Sequence, residues 1–402
     1  MRTRSDLSQM QALPLNIKIR MTQERIRQWV HEYGVDGVFV SFSGGKDSTV
    51  LLDLVRKLYP DIPAVFVDVP TQYPELREFA KTFENVEIIR PKISFAKVCE
   101  KYGFPLFSKE ISETIDSARK YLTRLEQNNT ISQTDRQTGR QISGAYAVAD
   151  ILGVDRRTKQ AKEQYARLKK GIIPNIDFET APVRVQALWE KVVHKTGGVV
   201  TNEYSKMYDR SHYQYMLDAP FEVSNMCCKV MKKAPIHEYE KSTGRKAITG
   251  QMAEESRLRT SAWLQHGCNA FDAKYPISNP LSFWREQDVL QYIYEKKLPI
   301  CSVYGEVVKV EEDQIKGQMT LSEFGLDVEN ETKYKTTGCH RTGCMLCGFG
   351  CHLEKPGEGR FELLKQTHPQ MYGLLDTISN SGYTFREAVE WVNEHGNAKI
   401  RL

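Results

Sequence analysis

The sequence predicts an α/β fold, a parallel sheet with helices on both faces, and three observations carry that prediction. Short β-branched runs alternate with helical runs through the first ninety or so residues. A glycine-rich loop joins the first buried strand to the next helix. After a long polar stretch the strand pattern resumes at Lys246-Ala-Ile-Thr-Gly.

Taken in order, Ile19, Ile26, Trp29 and Val30 recur at helical spacing, so Leu15 to Tyr33 reads as an amphipathic helix ended by Gly34. Gly37-Val-Phe-Val-Ser-Phe is a buried strand, and the run from Thr49 to Leu58 a helix. Ala64-Val-Phe-Val is a second strand, Glu75 to Phe83 a second helix, and Val86-Glu-Ile-Ile a third strand. Asn279 to Ile293 reads as a loop feeding a helix, Val303 to Val310 as a hairpin, and the region after Tyr383 as helical. Four segments follow: 1–110, the N-terminal helix and the loop-bearing half of the sheet domain; 111–225, a mainly helical insertion; 226–300, the rest of the sheet domain; and 301–402, a Cys-rich C-terminal region with helices.

At 402 residues, 40% hydrophobic and 27% charged, the chain is ordinary for a water-soluble protein with more than one domain. No apolar run approaches the roughly 20 residues that span a bilayer, and the start is polar, so no membrane is expected and the cytoplasm is the expected compartment. A net charge of +5 does not by itself call for a polyanionic partner.

Ser43-Gly44-Gly45-Lys46-Asp47-Ser48 lies between strand and helix. Paired glycines admit an anion close to the backbone, and the helix start offers free N–H groups and a positive dipole end. Ser43 and Ser48 add hydroxyls, Lys46 adds charge, and Asp47 is a candidate to hold Mg²⁺ on a leaving pyrophosphate. This loop resembles that of the PP-loop ATP pyrophosphatases and their sulfonucleotide-reductase relatives (the phosphoadenylylsulfate, or PAPS, reductase superfamily). The resemblance implies a Rossmann-like, adenine nucleotide alpha-hydrolase-like fold, with ATP as substrate and an adenine nucleotide as partner.

Three further segments are similar to the same superfamily. Val67-Asp68 to Tyr73-Pro74-Glu75 resembles the segment after the second strand of PAPS reductases and ATP sulfurylase small subunits. Asp68 ends a strand, where α/β proteins place ligand groups or a helix cap. Gly250-Gln-Met-Ala-Glu-Glu-Ser-Arg257-Leu-Arg259 resembles an element whose arginine meets phosphate or sulfate oxygens, a task suited to the guanidinium fork, and a solvated charge run is the plain alternative. Catalytic roles are therefore expected for Lys46, Asp47 and Arg259, with Gly250 and Arg257 beside the nucleotide. Asn279-Pro280-x-x-x-Trp284 also recurs in these reductases and reads mainly as architecture.

Nine cysteines without a secretory signal point to metal or redox chemistry rather than disulfides. Cys227-Cys228 with its downstream Lys and Pro resembles an adenylylsulfate (APS) reductase element, with Met231 in place of Arg. The resemblance implies a [4Fe–4S] cluster on Cys227, Cys228, Cys344 and Cys347. An alternative set is Cys339, Cys344, Cys347 and Cys351, as the C-terminal cluster of the sulfur-transfer enzyme of DNA phosphorothioation suggests, and zinc is the alternative metal. Cysteines left over from the cluster, Cys339 or Cys351, are candidates to carry sulfur.

Two features separate the functional readings. The loop is complete, whereas sulfonucleotide reductases generally carry a degenerate one, and no cysteine follows Cys351, where thioredoxin-dependent reductases place their nucleophile. The first reading is an ATP pyrophosphatase that adenylates an acceptor (tRNA, DNA or a small metabolite) for iron–sulfur-assisted sulfur transfer, with a sulfur-donor protein as partner. PAPS or APS reduction is the second. A third is a non-catalytic nucleotide-sensing or nucleic-acid-binding module using the basic run Arg156 to Lys170 and the tyrosines Tyr204, Tyr208, Tyr213 and Tyr215.

Overall fold

The structure is a computed structural model that describes residues 2–116, 119, 211–310, 333–357, 359–397 and 399–402. Most of the expected insertion, including Arg156 to Lys170, Tyr204 and Tyr208, lies outside the described residues. The chain divides into two compact units, Met1–Ser94 with Lys229–Met345, and Phe95–Cys228 with Leu346–Leu402.

The first unit holds a six-stranded sheet. Its strands are β1 (Val38–Phe42), β2 (Ala64–Val67), β3 (Val86–Ile89), β4 (Lys246–Ile248), β5 (Asn269–Ala270) and β6 (Ile277–Ser278), in the spatial order β3-β2-β1-β4-β6-β5. All neighbours are parallel except β5 and β6, with Val40 opposite Ala64 and Val38 opposite Lys246. From β1 the chain goes to β2 on one side, and β4 later fills the other. That reversal opens a crevice at the carboxyl end of β1, where doubly wound sheets bind ligands.

Helices cover the sheet: α1 (Arg4–Gln11), α2 (Leu15–Tyr33), α3 (Lys46–Arg56), α4 (Pro74–Lys81), α5 (Ala234–Thr243), α6 (Arg257–His266) and α7 (Glu286–Lys296). The core packs Ile26 and Trp29 of α2, Val50 and Leu54 of α3, and Trp284 before α7 against Phe42 and Phe66 of the sheet. Trp284 is fully buried and donates from Nε1 to Thr22 Oγ1 at 2.8 Å, the architectural role expected of it. Lys18 of α2, 2% exposed, reaches Asp288 of α7 at 2.6 Å and the Gln11 carbonyl at 2.8 Å. A buried ammonium needs such compensation.

The helix and strands expected between Leu15 and Ile89 are present, as is the final helix, Phe385–His395. The hairpin expected near Val303–Val310 takes only one of its arms from that run. Ser302–Tyr304 is a 3₁₀ turn, and β7 (Val307–Val310) pairs antiparallel with β8 (Lys333–Thr336). The apolar run reads as two arms only if its partner is assumed to be local; here the partner comes from more than twenty residues downstream.

In the second unit the helix Phe95–Tyr102 packs against the short helix Met226–Cys228. Leu106–Phe107 pairs parallel with Gly348–Phe349. Phe104, Phe221 and Phe385 meet at ring-centroid distances of 5.0–5.8 Å. Among the described residues no helix is long and apolar enough to cross a membrane.

Candidate functional site

The loop Ser43 to Ser48 leaves β1 and enters α3 within the first unit. Gly44 has φ +71°, and a side chain there would meet Leu76 at 3.2 Å, so glycine is required for both reasons. Gly45 is the helix N-cap. The hydroxyls knit the turn: Ser48 Oγ donates to the Gly45 carbonyl at 2.9 Å, and Ser43 and Ser48 oxygens lie 3.0 Å apart. The first N–H groups of α3 have no intrahelical acceptor, which leaves them for an anion.

Gly250, just past β4, presses against this loop. A Cβ there would stand 3.1 Å from the Asp47 carbonyl oxygen and 3.3 Å from the Ser48 nitrogen. Sequence spacing separates these residues by two hundred positions; the β1–β4 pairing brings them together.

Lys46 is 4% exposed. Its ammonium is held by the Glu286 carboxylate at the start of α7 and donates to the His340 carbonyl at 2.8 Å. The Tyr304 ring lies beneath it, 5.9 Å from the ring centre. Asp47 Oδ1 is buried without a hydrogen-bond partner. Burial raises the Asp47 carboxyl above its usual range, Lys46 pulls it down and Glu286 pushes it up again. An orphaned carboxylate oxygen in a glycine-rich turn at a helix start suits Mg²⁺, which binds through one or two carboxylates and substrate phosphates.

Arg259 in the first turn of α6 pairs with Glu255. Burial lowers its guanidinium, Asp47 opposes that shift and Arg341 adds to it, so Asp47, Arg259 and Arg341 share one electrostatic neighbourhood. Arg257 is exposed at the helix start. Asp68 is 3% exposed, and both carboxylate oxygens are taken, by Arg77 at 2.7 Å and Arg90 at 2.9 Å. Asp68 thus orients two arginines at the carboxyl ends of β2 and β3.

Glu286, Tyr304 and the segment His340-Arg341-Thr342 join the site without belonging to any of the expected motifs. Tyr304 Oη lies 2.6 Å from Thr342 Oγ1, and its hydroxyl is pushed up to about 12, chiefly by burial. The segment is pinned by Cys339 N to the Val303 carbonyl at 2.8 Å and by Met345 N to the Thr71 carbonyl at 2.7 Å. Its basic His-Arg pair beside Cys339 was the available signal, overshadowed by the cysteines.

Cysteine thiolates are apt donors for an iron–sulfur cluster or zinc. Cys339 and Cys344 belong to the first unit, and Cys227, Cys228, Cys347 and Cys351 to the second. None of the nine cysteines is in a disulfide. Among the described residues no three His, Cys, Asp or Glu side chains are gathered as a metal site, so the cluster stays a proposal of cysteine chemistry and spacing. Burial, above all, pushes the Cys351 thiol above its usual range, partly offset by Arg360. That is the reverse of what an attacking thiolate needs.

The family model of the phosphoadenosine phosphosulfate reductase domain matches residues 37–170 and 176–348, more than half of the chain. The chain belongs to this family. The match contains the loop Ser43 to Ser48, Gly250 and Arg259. A phosphoadenosine 5'-phosphosulfate reductase of Xanthomonas oryzae is 29% identical over 106 residues, covering 25% of this chain and 44% of that protein. A Xylella fastidiosa protein of the same name is 29% identical over 102 residues, 24% of this chain and 43% of the other. An adenosine 5'-phosphosulfate reductase of Halalkalibacterium halodurans is 23% identical over 112 residues, 25% of this chain and 48% of the other. The chain thus spans less than half the length of these curated relatives. Among solved structures, a phosphoadenylyl-sulfate reductase from Candida auris in a phosphate complex aligns at 13% identity with a TM-score of 0.31, covering 75% of this chain and 91% of that one.

Proposed function

We propose that this member of the PAPS reductase family is an ATP pyrophosphatase that adenylates an acceptor. The observation that supports it is the complete loop: a buried Lys46, helix-start N–H groups without intrahelical acceptors and an orphaned Asp47 oxygen fall in one short turn, a set suited to a triphosphate. In this reading the acceptor oxygen forms a bond to the α-phosphorus as the bond to the β-phosphate oxygen breaks, and pyrophosphate leaves. Lys46 and the loop amides stabilise charge on the departing group. Its approach has to draw the Lys46 ammonium away from Glu286 or share it. Mg²⁺, where bound, supplies charge neutralisation on the pyrophosphate, and Asp47 is the group to hold it. Arg259 steers the α-phosphate side of the crevice. An iron–sulfur cluster on the cysteines would assist later sulfur transfer.

The names of the curated relatives favour a second reading, reduction of PAPS or APS. One assay pair separates the two. Purified anaerobically, the protein is given ATP with candidate acceptors and pyrophosphate is measured; in parallel it is given PAPS or APS with a dithiol reductant and sulfite is measured. Pyrophosphate without sulfite supports the first reading. Sulfite from a sulfonucleotide, with ATP inert, overturns it.

A further inference from the structure

Beside the phosphate loop, the first unit contains a second feature that the reaction scheme leaves unused. A cavity of about 280 Å³ runs along one face of α6, bounded by the loop after β4 and by β5 and β6. Small side chains create the space: Ala253, Ala262, Ala270 and Ala273 line it together with Gly267. Arg259 lines it as well, and so does Gln251, the neighbour of the Gly250 that packs on the Asp47 backbone.

Its polar content is the informative part. Trp263, 3% exposed, lines the cavity, and its indole Nε1 is buried with no hydrogen-bond partner. One turn on, His266 lines the same space with a buried, unpartnered Nδ1; the exposed Asp272 carboxylate stands 3.4 Å away without hydrogen-bond geometry. Indole N–H can only donate, and leaving it buried without an acceptor is unfavourable. Among the described residues, the lining has one arginine and no carboxylate. The indole donor, apolar walls and the Arg259 guanidinium, whose fork keeps N–H groups beyond its pair with Glu255, together suit a ligand with an apolar body and an anionic acceptor group that shares Arg259 with Glu255.

We infer that this cavity is the acceptor subsite and takes a small carboxylic acid of about the bulk of a single aromatic ring system. The inference rests on the adenylation reading for its chemistry. There the carboxylate oxygen forms the bond to the α-phosphorus of ATP, the bond to the β-phosphate oxygen breaks, and an acyl adenylate and pyrophosphate result. The apolar body packs against Ala262 and Trp263, and Arg259 orients the carboxylate. A polynucleotide does not fit a space at the small end of ligand pockets.

Binding is tested separately from turnover. Ligand-observed NMR on the full chain would compare benzoate and indole-3-carboxylate with their neutral amides. The acids are expected to bind and the amides to bind at least tenfold more weakly. Ala270→Phe, which fills the cavity, is expected to abolish binding. Trp263→Phe keeps the ring and loses the donor, and is expected to weaken binding roughly three- to tenfold. Lys46→Ala, in the phosphate loop, should leave acid binding intact. Acids that fail to bind the wild-type chain, or bind no better than amides, or bind Ala270→Phe unchanged, overturn the assignment. Pyrophosphate release driven only by a polynucleotide, with no acid bound, sinks the cavity assignment and leaves the ATP reading standing. Acid binding with ATP inert does the opposite.

Discussion

Lys46 and Asp47 are adjacent in sequence and opposite in consequence. Lys46 is buried but compensated, by a carboxylate and a carbonyl. Glu286→Gln removes the charge partner and leaves the ammonium with weaker acceptors. Because Glu286 is 21% exposed, the expected loss is about 1–3 kcal/mol, below that of a fully buried pair, and urea unfolding measures it. Asp47 has the reverse problem. Its raised pKa means the folded chain holds a proton that the unfolded chain releases first, so this carboxylate lowers stability as pH rises through the shifted range. Asp47→Asn is expected to raise the melting temperature at pH 7 and to change it little near pH 3. The same variant should lose Mg²⁺-dependent pyrophosphate release by 100-fold or more, on the order of one lost metal contact. A melting temperature unchanged at pH 7 would show that burial does not penalise the charge.

Elements place these side chains. The α2–α7 connection through Lys18 and Asp288 holds the start of α7, and with it Glu286, beside the loop. Asp288 also accepts from the Arg285 N–H at 2.6 Å, capping that helix. Asp288→Ala therefore strands a buried lysine and uncaps α7, and about 3 kcal/mol of stability is expected to be lost by denaturant titration. Gly250→Ala tests the contact between β4 and α3. With 3.1 Å to the Asp47 carbonyl oxygen, the added methyl must displace the loop backbone, so a fall in nucleotide affinity of tenfold or more is expected by calorimetry, with far-UV circular dichroism unchanged. The elements were legible because periodicity and glycine punctuation are local. Leu15–Tyr33 and Val86–Ile89 could be bounded from side-chain pattern alone. The partner of β7 was not legible, because strand pairing across more than twenty residues leaves no local mark.

At the scale of the whole molecule, the cysteines pose the open chemical question. Two sets share Cys344 and Cys347, and they differ in whether Cys227 and Cys228 or Cys339 and Cys351 complete the ligands. Serine replacements separate them by iron and acid-labile sulfide content after anaerobic purification. Cys227→Ser is expected to lose iron and Cys339→Ser to retain it. The opposite pattern assigns the cluster to the C-terminal four, and zinc in place of iron replaces the redox reading with a structural one.

Local chemistry determined the glycine-rich loop, the order of strands and helices around it, and the family resemblance, because each needs only neighbours along the chain. Tertiary structure alone decided that Gly250 lies on Asp47, that Glu286 and the His340 carbonyl hold Lys46, and that a cavity stands behind Arg259. Those relations arise when a sheet places strands far apart in sequence side by side, and no periodicity in the chain encodes which distant residues such pairing will join.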